Sequence, residues 1–298
     1  MSINVHPPQI LHIPVLLEST IDLLKPAKGE NYLDLTAGYG GHASRFLDIT
    51  GNYAESVLVD RDDYAIERLK PLSDKGARLL HTDFVSASRQ LIDEGHKFDI
   101  VLVDLGVSSP QLDQSNRGFS FTNNGPLDMR MDRGQALTAE RLVNTASIDE
   151  LTRIISQYGE EPIGLAHKIA VAIANNRPLT KTKELADLIK QNYRGKWKKS
   201  HPATRTFQAL RIAVNNELKQ VEDLLPLLPK LLKKDGRVGV ISFHSLEDRL
   251  VKRYFKEQFD AGFEAILQPI TKKPIAGNIN DVHNPRSRSA KLRVAVKK

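Results

Sequence analysis

The sequence predicts an α/β fold, a parallel sheet with helices on both faces, that carries an inserted all-helical domain. Short aliphatic runs recur early, at "NYLDL" (31–35), "SVLVD" (56–60), "ARLLHTD" (77–83) and "FDIVLVDLG" (98–106). Helix-patterned stretches separate the second, third and fourth; in "DDYAIERLK", Ala65, Ile66 and Leu69 share one face. The rhythm then stops, and the next buried-strand pattern, "GRVGVISF" (236–243), comes about 130 residues later. A crossover needs only a dozen or so residues plus its helix, so the gap marks an insertion.

Strands that alternate with helices form parallel sheets. Fully apolar strands ending in an acidic residue fit buried strands whose carboxyl ends line a ligand crevice. Residues 106–134 are rich in Gly, Ser, Asn and Asp without periodicity and read as a long functional loop. Helical patterns follow around 136–145, 149–157, 161–175, 182–192 and 204–218, with Asp149, Thr180 and Thr182 as expected caps. The expected division is residues 1–109 and 213–298 for the sheet domain and 110–212 for the inserted helical domain. "FEAILQPI" and "KLRVAV" supply two further expected strands.

Composition narrows the function. No run of eighteen apolar residues suggests a membrane span, and "MSINVHPPQILHIP" has no secretory pattern, so the expected location is cytoplasmic. Cysteine is absent, which removes disulfides, thiolate metal sites and thiol nucleophiles together. The nine histidines are dispersed, and no His/Asp/Glu spacing matches a zinc motif, so no metal is expected. The formal charge is +7, and its distribution matters more than its size. Residues 188–216 hold no acid but carry Lys196, Lys198, Lys199 and Arg205 among other cations, and the last seventeen residues hold six cations, Arg286 and Arg288 included. Two acid-free basic tracts suggest a polyanionic partner such as nucleic acid; a solvated surface or a loose tail is the plainer alternative. Trp197, set among lysines, can stack on a base or anchor the helical domain.

The segment "DLTAGYGGH" (34–42) poses the cofactor question. Gly38, Gly40 and Ala43 fit the dinucleotide spacing G-x-G-x-x-G/A, with Asp60 about twenty residues on. Yet Asp34, Asp60, Asp83 and Asp104 each follow a strand, and four carboxylates around one crevice repel a pyrophosphate and attract a cationic ligand. At about 4 Å, two unit charges interact by roughly 4 kcal/mol at an effective dielectric near 20, so the sign of the pocket matters. The charge favours S-adenosylmethionine over a nicotinamide dinucleotide, with Asp34 and Asp104 facing its positive groups and Asp60 its ribose. Some of these aspartates can instead be helix caps.

Methylating pyrimidine C5 usually needs a thiolate to attack C6, a route closed without cysteine. Direct attack by nitrogen or oxygen needs only positioning, electrostatics and a path for the proton. In the loop after the fourth strand, Phe119 and Phe121 can stack on an extruded base or plug the loop onto a core. Asp104, Ser108 and Asp128 are candidate acceptors for an exocyclic amine, and His244 is a further catalytic candidate, with Ser245 as the expected cap of the helix after it. "HPAT" (201–204) reads as a helix entry capped by Thr204.

The blocks "HIPVLL" (12–17), "DLTAGYGGH" (34–42), "VDRDDYAI" (59–66), "DLGVSSPQLD" (104–113) and "RGFSFTNNGPLDMRMD" (117–132) carry a resemblance, as do "HPATRTFQALRIAVNNEL" (201–218), "GRVGVISFHSLEDRLVK" (236–252) and "NPRSRSAKLRVA" (284–295). In this order and from end to end, they resemble the bacterial small-subunit rRNA cytosine-N4 methyltransferase family (RsmH, formerly MraW). That resemblance implies a class I, Rossmann-like methyltransferase domain with an inserted helical substrate domain. It implies N4-methylation of a cytidine in the P-site region of the decoding centre of 16S rRNA; that target and a basic inserted domain favour an assembled or late-assembly subunit as partner, with naked rRNA left open. It carries over cofactor contacts to Gly40, Gly41, His42, Asp60, Phe84, Asp104 and Gln111, with Asp34 added here on charge alone. Ala43 stands where members often have serine. The oligomeric state, monomer or homodimer, stays open.

Overall fold

The computed structural model describes residues 14–193 and 201–298. Its sheet runs β3-β2-β1-β4-β5-β8-β6, with β7 paired on the side to β8. Strands β1 (Tyr32–Asp34), β2 (Val57–Asp60), β3 (Arg78–His81), β4 (Phe98–Asp104) and β5 (Leu232–Ser242) are parallel. β8 (Lys291–Lys297) lies antiparallel against β5, and β6 (Leu267–Pro269) and β7 (Ile275–Ala276) are antiparallel to β8. The four early aliphatic runs are thus the four neighbouring strands on one side of the sheet, and β5 follows β4 in space despite the long gap in sequence.

Burial on both faces explains why these strands read as continuous apolar runs. On one face α1 (Leu17–Leu24), α2 (Gly41–Thr50) and α3 (Asp63–Ser73) bury Leu24, Phe46, Leu47 and Leu69. On the other, α4 (Phe84–Asp93), α11 (Glu217–Leu224), α12 (Leu228–Leu231) and α13 (Ser245–Asp260) bury Leu91, Leu224, Leu228 and Phe255. Short α14 (Gly277–Asn280) precedes β8.

After β4 the chain makes α5 (Ser109–Asp113) and a long loop, then a helical lobe. The lobe comprises α6 (Ala139–Thr145), α7 (Ile148–Gly159), α8 (Ile163–Asn175), α9 (Thr182–Asn192) and α10 (Ala203–Asn215). It has its own core of Leu151, Ile155, Ile169, Ile173, Leu185 and Leu210. Val214 belongs to that core, so the return to the sheet domain falls after α10, near Asn216, rather than at 213.

The caps differ from those expected. Ser147, not Asp149, accepts Glu150 N–H at 3.1 Å to open α7. Lys181 is the N-cap of α9, while Thr182 Oγ1 accepts Gly125 N–H at 3.0 Å and holds the long loop instead. His201 Nδ1, rather than Thr204, accepts Ala203 N–H at 3.1 Å where α10 begins. His244, rather than Ser245, caps α13, its Nδ1 accepting Glu247 N–H at 3.3 Å. Ser147 and His244 stand just outside their helices, where the side chain turns back onto an unpaired N–H, whereas at α9 Glu184 Oε2 accepts the Lys181 N–H at 3.0 Å.

Candidate active site

A crevice of about 510 Å³ opens above the carboxyl ends of β1, β2, β4 and β5, between the sheet domain and helices α10 and α11. That volume is ordinary for a cofactor site. Its walls bring together Gly38, Gly41, His42, Asp60, Asp83, Phe84, Asp104, Ser108, Gln111 and His244, which the sequence places far apart.

Strand register decides which acidic residues reach it. Asp34 pairs with Leu58 of β2 and Leu102 of β4, so Asp60 and Asp104 each stand two residues nearer the crevice. Asp34 is 1% exposed and is not a lining residue. Its Oδ2 accepts the Tyr32 hydroxyl at 2.7 Å and its Oδ1 accepts Thr36 N–H at 3.1 Å. Burial pushes its carboxyl up to about 7 despite those bonds. The expectation that Asp34 faces the ligand is therefore corrected: it lies beneath the floor and is half neutral at physiological pH. Asp60, Asp62, Asp83, Asp104, Glu217 and Glu247 stand on the crevice walls, Asp62 paired with Arg117 and Glu217 with Arg211.

This burial has a pH signature. The Asp34 carboxyl holds its proton more tightly folded than unfolded, so its contribution to stability is present below the unfolded value and lost as pH rises toward about 7. Asp34→Asn is expected to gain on the wild type by about 2 kcal/mol between pH 5.5 and pH 8, following 1.36 kcal/mol per pKa unit. Urea unfolding at the two pH values checks this, and a pH-independent difference would refute it.

The glycine loop is built for close approach. Gly40 has φ +80°, and a Cβ there would lie 3.2 Å from Leu69 and 3.3 Å from Leu72, so it packs the loop onto α3 rather than lining the crevice. A Cβ on Gly41 would meet Pro14 at 2.6 Å. Gly41 and His42 open α2, whose first N–H groups lack helical partners and suit an anion such as a carboxylate. His42 Nε2 contacts Val15 O at 3.0 Å, and its Nδ1 lies 3.7 Å from Asp104 Oδ2.

Asp60 braces this loop: its Oδ2 accepts Gly38 N–H and its Oδ1 accepts Asp62 N–H, each at 2.8 Å. Burial raises its carboxyl. Asp104 donates its N–H to Thr36 Oγ1 at 2.6 Å, while its Oδ1 is buried with no hydrogen-bond partner. Burial first, then the nearby Asp34 and Glu247 carboxylates, pushes Asp104 well above the usual carboxylate range. A carboxyl with an unmet oxygen and a raised pKa awaits a cation or a donor. Asp83 is a wall residue and a helix cap at once, its Oδ1 accepting Val85 and Ser86 N–H at 2.9 and 3.0 Å.

Asp62 is the centre of a network that sequence spacing does not reveal. Its Oδ1 caps α3 through Tyr64 N–H at 2.9 Å, and its Oδ2 accepts Gln111 Nε2 at 2.7 Å and Arg117 Nη1 at 2.8 Å. Gln111 Oε1 in turn accepts Ser108 N–H at 2.9 Å. The Asp62–Arg117 pair is buried, at 6% and 2% side-chain exposure. It ties the floor beside Asp60 to the loop that carries Ser108.

Several expected contacts lie elsewhere. Asp128 is not a crevice residue; Arg130 grips it through Nε at 2.7 Å and Nη2 at 3.0 Å. Burial opposes its ionisation, but Arg130 outweighs that and holds the carboxyl low, so a catalytic part for Asp128 is withdrawn. Phe119 is buried in the helical core and Phe121 packs against it, with its ring centroid 4.8 Å from those of both His201 and Phe207. Both rings plug the loop down, which corrects the base-stacking expectation. Arg205 donates to Glu160 O at 3.2 Å, and Arg286 donates to both Asp113 oxygens at 2.8 Å on the crevice rim; Arg288 is exposed. Lys196, Trp197, Lys198 and Lys199 lie outside the described residues.

His244 lines the crevice, but Nδ1 is engaged as a cap and Nε2 sits buried 3.2 Å from Glu247 Oε1, out of hydrogen-bond alignment. That placement gives its Nδ1 a structural part in the wall. Glu217, His244 and Glu247 bring potential ligand atoms within 4.8 Å of one another, a grouping invisible to short-range spacing. Arg211 already neutralises Glu217, through Nε at 2.9 Å and Nη2 at 2.7 Å. Glu247 had a sequence signal: it closes a capping box three residues after His244.

S-adenosylmethionine fits these residues. The N-terminus of α2 suits its carboxylate, Asp104 its cationic centres, Asp60 its ribose, and Phe84 offers a ring on the wall. Comparison with known proteins agrees. Residues 9–298 match the model of the MraW methylase family. The chain is 46% identical over 297 residues to ribosomal RNA small subunit methyltransferase H of Synechocystis sp., covering 96% of this chain and 93% of that one. It is 46% identical over 314 residues to the protein of the same name from Lawsonia intracellularis, covering 96% and 99%. A solved rRNA methylase from Streptococcus thermophilus covers 96% of this chain and 98% of its own at 10% identity, but its TM-score of 0.40 is too low to carry an argument. The match over nearly the whole chain, on a crevice that suits the methyl donor, shows that this protein belongs to the MraW methylase family and is an S-adenosylmethionine-dependent methyltransferase.

Proposed function

We propose that this enzyme methylates N4 of a specific cytidine in the P-site region of the decoding centre, on 16S rRNA of the small ribosomal subunit, in the bacterial cytoplasm. The observation that carries the reading is Asp104, a raised carboxyl with an unmet oxygen, at the junction of the donor-side glycine loop and the loop of Ser108. The relatives' names supply the substrate, and the basic tracts suit an RNA partner. Among the described residues no helix is long and apolar enough to cross a membrane.

Bound S-adenosylmethionine supplies a methyl group on a cationic sulfur. The residues of the chain position the other reactant. Cytosine N4 is a poor nucleophile because its lone pair is delocalised into the ring. Asp104, once ionised, accepts a hydrogen bond from the amine and localises that lone pair on nitrogen; it then provides a first stop for the departing proton. Ser108 lines the same wall, held by Gln111, and offers a second acceptor. A decoding-centre target and an inserted lobe bearing a basic tract favour a folded subunit over naked rRNA.

The test is mass mapping of rRNA nucleosides from a strain deleted for this protein. Loss of one N4-methylated cytidine in small-subunit rRNA is expected, with restoration by the intact gene. An unchanged modification would overturn the reading.

A further inference from the structure

Arg61 is a crevice cation that the methyl-transfer chemistry leaves unused. Three arginines line the crevice. Glu217 holds Arg211, and Asp113 holds Arg286, each by two hydrogen bonds. Arg61 has no ion pair among the described residues; its Nη2 contacts the sulfur of Met131, a weak acceptor. Its neighbours in sequence are engaged elsewhere, Asp60 by the glycine loop and Asp62 by Gln111 and Arg117.

Direction separates Arg61 from the donor. Successive side chains at the end of a strand point to opposite sides. Asp60 turns to Gly38, whereas Arg61 turns to Met131, whose N–H is bound by Asn215 of the helical lobe at 2.8 Å. Arg61 therefore stands on the lobe side of the crevice. Burial pulls its guanidinium below its ordinary value, while Glu217, Asp60, Asp83 and Asp132 favour the charged form from longer range. Half-buried on the crevice wall and free of any carboxylate contact among the described residues, the guanidinium keeps donors that a ligand can take.

We propose that Arg61 grips a backbone phosphate of the RNA strand whose base enters the crevice. This rests on the reading of RNA as substrate. The planar fork of arginine matches two phosphate oxygens, and Arg61 is the wall arginine that no carboxylate among the described residues holds. A phosphate seat on the lobe side fixes the register of the strand, and so selects which nucleotide meets Asp104.

The experiment uses the full chain and small ribosomal subunits from cells lacking the enzyme. Binding is measured across salt concentrations for the wild type, Arg61→Met, Arg61→Gln and Arg61→Lys, beside titration with S-adenosylmethionine and thermal melting. Arg61→Met is expected to bind subunits about tenfold more weakly, with the log–log salt slope reduced by about one. Its affinity for S-adenosylmethionine should stay within about threefold of wild type, and its melting temperature should stay near wild type because no ion pair is broken. Arg61→Gln is expected to behave alike, which guards against one variant failing to fold. Arg61→Lys should keep the slope with intermediate affinity. A tenfold loss of S-adenosylmethionine affinity with unchanged subunit binding would assign Arg61 to the donor and overturn the proposal. Unchanged subunit binding and slope would overturn it equally. A wild type that neither binds nor methylates the subunits would instead sink the RNA reading.

Discussion

Methyl transfer by an Asp104→Asn variant is expected to fall about 100- to 10,000-fold at saturating S-adenosylmethionine, the range for removing a general base. The substitution is isosteric, and the bond from the residue 104 N–H to Thr36 Oγ1 involves only backbone on its side, so the fold should be retained. Only the ionised carboxyl can take the amine proton. Burial, with Asp34 and Glu247 nearby, raises Asp104, so the wild-type rate is lost as pH falls through that raised value and gained as pH rises. Single-turnover rates should therefore climb with rising pH for the wild type and stay flat for the variant. A variant with the full rate would remove Asp104 from the chemistry.

Arg117→Met is expected to lower unfolding stability by about 3–5 kcal/mol, since it leaves the buried Asp62 carboxylate without its cation. Arg117 also donates to Arg130 O at 3.1 Å and Met131 O at 3.2 Å, so those carbonyls lose a donor too. Combining it with Asp62→Asn removes the stranded charge and should recover most of the loss, while the N-cap acceptor for Tyr64 remains. Urea unfolding of the three variants measures this. A single-variant loss under about 1 kcal/mol would mean that the pair is solvated and weak.

The strands and the inserted lobe were legible because burial on both faces leaves apolar runs, and because a gap after "VDLG" far exceeds any crossover. Which acids reach the crevice was less legible. Asp34 and Asp104 look alike in sequence, each ending a strand, and only the register of β1 against β4 puts one beneath the other's level. Asp62 stood unnoticed beside Asp60 because its partner Arg117 is set by tertiary packing. Phe119 and Phe121 kept two readings, since an aromatic in a loop carries no period to say whether it faces a core or a ligand. The caps lie one to three residues from the expected ones, because several polar residues cluster at each helix start and only backbone direction selects among them.

The pairing of β4 with β5 joins Val101 to Val238 across the whole helical lobe, and this has a consequence for the order in which the chain folds. Closing so long a loop of flexible chain is slow, although each doubling of length adds only about 0.6 kcal/mol. Helices α6 to α10 make mostly local contacts among themselves and can form early. Asn215 then bonds Met131 N–H and Met129 O, each at 2.8 Å, and so brings the lobe's two ends together. Once that knot is tied, β5 searches for β4 on a short tether. The lobe that helps to wall the crevice is thus also the splint on which the sheet is assembled.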